Sequence, residues 1–257
     1  MWAFTVVHEL PYDDPERLRR RLRVRYPIRI DTVLGFGELP NLRLQRGFSK
    51  PREVTALDRG LAIVHWAWFL EPHLAVAWIL ARHHDRFARA ARQMAAVFDL
   101  GCIVYFAVPT APPWWAAEHG EIAAEPEAGE REAVGAARRR LRRVMVEVGE
   151  ATWGRAWPKL YQSLGGNPWA AMPSLHFASS LLAAILLSEA DPRAGAMGWT
   201  YASTLAFALV YLGEHYAIDL IAGAGLVALV RRGEPLCEPL CTRISAAVQR
   251  LERLADG

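Results

Sequence analysis

Apolar residues along this chain gather into five stretches separated by charged ones. The first, residues 61–81 (LAIVHWAWFLEPHLAVAWILA), has about the 20 residues that a helix needs to cross the hydrocarbon core of a bilayer. The others are 93–112 (QMAAVFDLGCIVYFAVPTAP), 173–189 (PSLHFASSLLAAILLSE), 196–213 (AMGWTYASTLAFALVYLG) and 215–230 (HYAIDLIAGAGLVALV). Small residues recur in the last three and allow close helix–helix approach in lipid, where burial from water no longer drives association. Glu71 and His73 flank Pro72 in the first stretch and predict a kink whose freed backbone groups are satisfied locally. Asp99, inside the second, pairs with a loop arginine or marks the end of a span. The GAG at 223–225 follows no strand, so it reads as helix packing and not as a nucleotide loop.

The intervening segments are dense in Arg, Asp and Glu. Residues 1–59 are polar and basic, with seven arginines from Arg17 to Arg29. That run is either a solvated face or a surface helix on anionic headgroups. A long loop, 113–172, starts acidic and then carries RRRLRR at 138–143, and 130–150 reads as a charged surface helix. After residue 231 an amphipathic tail reads as a cytoplasmic or interfacial helix. The expected organisation is a basic interfacial region (1–59), a membrane catalytic domain (60–231) and an amphipathic tail (232–257). The opening MWAFTVVHEL resembles the last turns of a span that begins upstream. The fold class expected is all-α, a polytopic membrane helix bundle of five to six transmembrane helices.

Composition changes this picture little. The chain has 257 residues, 53% hydrophobic and 22% charged, and its mean hydropathy of +0.07 conceals the segregation. A net charge of +3, without a basic patch interleaved with aromatics, argues against nucleic-acid binding. Cys102 reads as a buried free thiol. Cys237 and Cys241 have no second pair and no nearby His, so neither a metal site nor a disulfide framework is expected. The N-terminus lacks the pattern of a cleaved leader. Taking the basic loop 82–92 and Arg231–Arg232 as cytoplasmic puts 113–172 and His215 on the outside. Trp114, Trp115, Trp153, Trp157 and Trp169 suit the headgroup level.

Ionisable groups within spans are costly and usually functional. His176 sits at the start of the third stretch, in MPSLHFASS. His215 begins the fifth, in GEHYAID, and Asp219 follows four residues later. On a helix that spacing puts His215 and Asp219 on one face. A carboxylate beside an imidazole fixes its tautomer and raises its basicity, so the histidine can attack an electrophile. A second histidine across the site can protonate the leaving oxygen. A phosphate between them would meet the backbone N–H groups at the helix start after Pro173 and Ser174.

PSLH followed by an apolar run and, about forty residues later, GEHYAIDLIAG resembles the type 2 phosphatidic acid phosphatase superfamily. AMPSLH, the H-Y-x-x-D pattern and VPTAPPWW at 108–115 are similar to the branch that contains fungal inositol phosphorylceramide synthases. The resemblance covers roughly 60–231. It implies a bundle of about six membrane helices, with His215 as the nucleophile that becomes phospho-histidine, Asp219 orienting it, His176 as general acid and Ser174 binding phosphate oxygens. It implies no metal and no cofactor. The implied substrate is a phospholipid or lipid phosphate, with water, a polyol or a sugar as acceptor, and the implied place is the cell membrane with the site on its extracytoplasmic face.

The chain departs from that pattern in two places. Leu209 stands where phosphatases of the superfamily carry an arginine, and no Lys-x6-Arg-Pro occurs. Arg155 and Lys159, in GRAWPKLYQS, are candidates for the positive charge, solvated loop charges being the alternative, and Arg142 and Arg143 come next. The missing arginine favours headgroup transfer over plain hydrolysis. A non-catalytic scaffold or transporter that kept the fold is the second reading.

Overall fold

The computed structural model describes residues 15–50, 53–122, 125–126, 138–139, 141–154, 157 and 169–255. Among these the architecture is all-α. The helices are α1 (Pro15–Arg21), α2 (Arg25–Leu34), α3 (Pro40–Phe48), α4 (Ala56–Ala67), α5 (Glu71–Arg82), α6 (His84–Ala107), α7 (Pro113–Glu118), α8 (Val144–Trp153), α9 (Leu175–Ala190), α10 (Pro192–Tyr211) and α11 (Ala217–Ala255). Extended pairing among the described residues comprises Glu125–Pro126 with Arg138–Arg139 and two isolated bridges, Arg23 with Thr110 and Thr110 with Ala170.

Helix starts follow local chemistry. α4 opens with a capping box: Thr55 Oγ1 accepts from Asp58 N–H, and the Asp58 carboxylate accepts from Thr55 N–H at 2.8 Å. Asp191 caps α10 by accepting from the N–H groups of Arg193 and Ala194, with Pro192 in the first helical position. α10 ends where Gly213 takes φ +81, a left-handed conformation that glycine adopts without steric cost.

α9 is the central helix and packs against α5, α6, α10 and α11. Its buried face is rich in small residues (Ala178, Ser179, Ser180, Ala183, Ala184), so neighbours approach closely. At its far end Arg89 of α6 bridges Glu189 (2.9 Å) and Glu234 (2.8 Å), and Arg231 of α11 also meets Glu189. Large apolar side chains face outward around the bundle, among them Ile63, Phe69, Leu74, Ile103, Phe106, Met197 and Leu229.

The expected spans map onto helices with shifted limits. The first is two helices, α4 and α5, bent by 51° at a break beside Pro72, the predicted kink. Glu71 there accepts from Ser180 Oγ at 3.1 Å. The basic segment 82–92, read as a loop, is helical from His84 onward: its Ala and Arg residues are strong helix formers, and α6 carries on to Ala107. Residues 108–112 are not helical, and Asp99 lies exposed inside α6, not at its end. Among the described residues α6 is the one helix long and apolar enough to cross a bilayer, and α4 with α5 passes the same test as a bent pair, a broken span or a re-entrant loop. α9 is apolar but has 16 residues.

α11 runs without interruption through the expected boundary at 231/232 and through Pro235 and Pro239. The charged helix expected over 130–150 is helical only from Val144, in α8; of the other described residues there, Arg138–Arg139 are extended and 141–143 are not helical. The arginine-rich run is divided between α1 and α2 by a break at residues 22–24. The upstream-span expectation falls on residues 1–10, outside the described residues.

Candidate active site

The first histidine is delivered by the segment 169–174. Thr110 N–H donates to Trp169 O, Ala171 N–H to Thr110 O, and Arg23 N–H to Pro109 O, so three chain segments lie side by side. Tyr105 OH donates to Pro173 O at 2.7 Å and accepts from Leu175 N–H, fixing the start of α9. Ser174 is the N-cap, its Oγ accepting from Phe177 N–H, and His176 is the second residue of the helix.

The second histidine precedes α11, so the expected helical pairing with Asp219 is replaced by a turn. The N–H groups of Glu214 and His215 both donate to Leu209 O, curling the chain back after Gly213. Asp219 lies in the first turn of α11, where its Oδ2 accepts from Tyr216 N–H at 2.9 Å. The same oxygen lies 3.3 Å from His215 Nδ1. The contact that the spacing predicted therefore forms, through a helix-capping carboxylate.

Residues far away in sequence hold this turn. Asp31 of α2 accepts from Ala217 N–H (2.7 Å) and Ile218 N–H (2.8 Å), capping α11 from outside. Asn41 of α3 donates to Val210 O and to His215 O. Gln45 donates to Tyr211 O and Arg142 O and accepts from Arg142 N–H. All three are buried. Burial raises the Asp31 carboxyl above its ordinary value, against the backbone hydrogen bonds that pull it down. Sequence reading missed these residues, because a buried polar residue in a polar segment has no local pattern.

The two motifs meet directly. Ser174 N–H donates to the carbonyl of Asp219 at 2.9 Å. A Cβ on Gly223 would lie 2.8 Å from Ser174 O, so glycine is what lets α11 pass this close to α9. His176 Nδ1 and His215 Nε2 are 3.2 Å apart. An ionised Asp219 accepts from His215 Nδ1–H, which leaves the Nε2 lone pair facing His176. The chain of contacts is Asp219, His215, His176, with His215 and Asp219 almost wholly buried. Trp68 packs its indole 4.1 Å from the His176 ring and donates to Ser179 Oγ.

Ser174 is buried, and its hydroxyl oxygen is engaged as the cap. Arg155 and Lys159 fall outside the described residues. Arg142 binds Glu147 and lies 3.6 Å from Asp58. Arg143 stacks on Trp114 and meets Glu118 at 3.1 Å. Leu209 is fully buried among Trp68, Leu205, Val210 and Leu220, so that position carries packing here. Trp153 stacks on Trp157 and packs beside Trp66, while Trp115 stacks on His119.

Residues 39–231 match the PAP2 superfamily. The inositol phosphorylceramide synthase of Candida albicans is 31% identical over 128 residues, which cover 49% of this chain and 25% of that relative. The chain thus spans about a quarter of the length of the curated relative it matches. No solved structure matches it.

Proposed function

The chain belongs to the PAP2 superfamily, and from that premise we propose that it is a membrane lipid phosphotransferase or phosphatase working through a phospho-histidine. The observation that carries the reading is the contact chain Asp219–His215–His176 at 3.3 and 3.2 Å. His215 Nε2 attacks the phosphorus of a lipid phosphate or phosphodiester. Asp219 holds the Nδ1 proton and balances the imidazolium as it forms. His176 protonates the departing alkoxide and then takes a proton from the acceptor, which is water in hydrolysis or a polyol or sugar hydroxyl in transfer. Phosphorus in line for attack sits about 3–3.5 Å from the nucleophile. The His176 ring stands at that distance now, so it swings aside as substrate enters.

The fungal relative, by its name a synthase that makes inositol phosphorylceramide, favours transfer of a phosphodiester headgroup. The apolar belt of Ile63, Phe69, Leu74, Ile103 and Met197 supports a bundle embedded in lipid, with α4/α5, α6, α9, α10 and α11 as its five spans. The site then opens on the extracytoplasmic face, opposite the Arg89–Glu189–Arg231 end. Ser174, Arg155 and Lys159 remain the substrate-binding candidates.

The test is an assay of purified protein in detergent for phosphate release from phosphatidic acid and for headgroup transfer from phosphatidylinositol. Wild type forms an acid-labile phospho-enzyme and turns over; His215→Ala does neither. Full activity in His215→Ala removes the nucleophile assignment. A wild type inert on every phospholipid favours the non-catalytic reading.

A further inference from the structure

We propose that His65 is a third histidine of this site, a phosphoryl-binding residue whose Nδ1 hydrogen-bonds an oxygen of the group that His215 attacks. The inference deepens the phosphotransfer reading and rests on it for the identity of the ligand.

His65 lies in the last turn of α4, three residues before Trp68. That spacing puts both on one side of the helix, and both rings face His176, at centroid distances of 4.9 Å for His65 and 4.1 Å for Trp68. His176 is in turn 5.3 Å from the His215 ring. His65 is also an electrostatic neighbour of His215. Three imidazoles and one indole therefore surround the place where a phosphoryl group enters.

The polar atoms distinguish His65 from a packing residue. It is 5% exposed, and its Nδ1 has no hydrogen-bond partner among the described residues. The Trp68 N–H, by contrast, is matched to Ser179 Oγ at 2.8 Å. The His65 and His176 rings lie tilted by 32° and make no nitrogen-to-nitrogen bond, so His65 is no link in the relay between His176 and His215. Buried polar groups are almost always hydrogen-bonded, and an exception calls for a reason. An apolar ring would fill this place equally well. A bound phosphoryl oxygen supplies the missing acceptor: Nδ1–H donates to it, and the charge of the oxygen strengthens the bond in a site that excludes water.

Orthovanadate is the probe, because it presents the same oxygens without needing a lipid. Binding is measured by titration calorimetry in detergent for wild type, His65→Phe, His65→Asn and His65→Gln, with melting temperature as the folding control. The Asn amide nitrogen stands near the position of Nδ1, and the Gln amide nitrogen near that of Nε2. His65→Phe weakens vanadate about ten- to a hundredfold, the loss of one hydrogen bond to a charged group. His65→Asn stays within about threefold and His65→Gln resembles Phe. In ¹⁵N-histidine-labelled wild type, the His65 Nδ1 resonance moves with vanadate saturation, which tests the contact without any substitution. The proposal is overturned if His65→Phe binds as tightly as wild type, if Gln rescues and Asn does not, if the resonance stays still, or if wild type binds no vanadate. Vanadate binding with this pattern but no lipid turnover would sink the enzymatic reading and leave the His65 assignment standing. Lipid turnover that is normal in His65→Phe would do the reverse.

Discussion

An alanine at position 223 tests how closely the two histidine-bearing segments must meet. Its Cβ would fall 2.8 Å from Ser174 O and 3.5 Å from Ala178 N and Cβ. Carbon–oxygen contacts settle at about 3.3 Å or more, so the segments must part by about half an ångström. The carbonyl cannot turn away, because it accepts from Ala178 N–H in the first turn of α9. The bond from Ser174 N–H to Asp219 O, in the same small region, lengthens with it. A displacement of about 1 Å at a reacting centre costs about a hundredfold in rate, and half of that about tenfold. Alanine is also the better helix former by up to about 1 kcal/mol, so stability does not fall in parallel. Gly225, two residues on, is the matched control, because a Cβ there would meet nothing within 4 Å. The measurements are lipid turnover in mixed micelles and melting temperature for both variants. Gly223→Ala loses about tenfold in turnover with little thermal change, while Gly225→Ala keeps wild-type activity. Activity within twofold of wild type in Gly223→Ala, or an equal loss in Gly225→Ala, would refute the close-approach argument.

Three further outcomes are expected. His176→Ala slows turnover of an alkyl lipid ester by roughly 10²- to 10⁴-fold but far less with an aryl phosphate, whose leaving group needs no proton; equal losses on both substrates remove the acid role. Arg142→Met leaves the fully buried Asp58, which accepts from Tyr211 OH at 2.5 Å, without its cation. The cost is about 3 kcal/mol, read by equilibrium unfolding in mixed micelles, and a loss below about 1 kcal/mol would show that the pair is only a surface contact. The raised Asp31 carboxyl means that the folded chain holds that proton more tightly than the unfolded one. Its contribution is complete below the ordinary carboxylate range and is lost as pH rises through the raised value. The melting-temperature advantage of wild type over Asp31→Asn therefore shrinks from pH 4 to pH 7; an advantage that grows contradicts the sign.

Much of the site was legible in the residues themselves. PSLH and HYAID stand out as candidates by short-range spacing, and the i,i+4 separation of His215 and Asp219 produces contact even though His215 lies before the helix and not in it. The kink beside Pro72 and, of the GAG, the close packing at Gly223 but not at Gly225 were legible for the same reason: a proline's missing N–H and a glycine's missing Cβ act on the chain locally. The limits of spans were less so. The basic segment 82–92 reads as a connection by charge and as helix by propensity, and propensity prevailed, with Arg89 meeting Glu189 and Glu234 across the bundle.

What the chain determined along its own length, then, was the all-helical class, the segregation into apolar stretches and the choice of His176, His215 and Asp219 as candidates. Only the tertiary structure decided that Asp31, Asn41 and Gln45 grip the turn carrying His215, and that His65 stands beside His176. The reason is physical. Caps, kinks and spacing are interactions between neighbours in the chain, so the residue types record them. Asp31 meets Ala217 across 186 positions, and nothing in the local chemistry of either residue names the other until the helices pack.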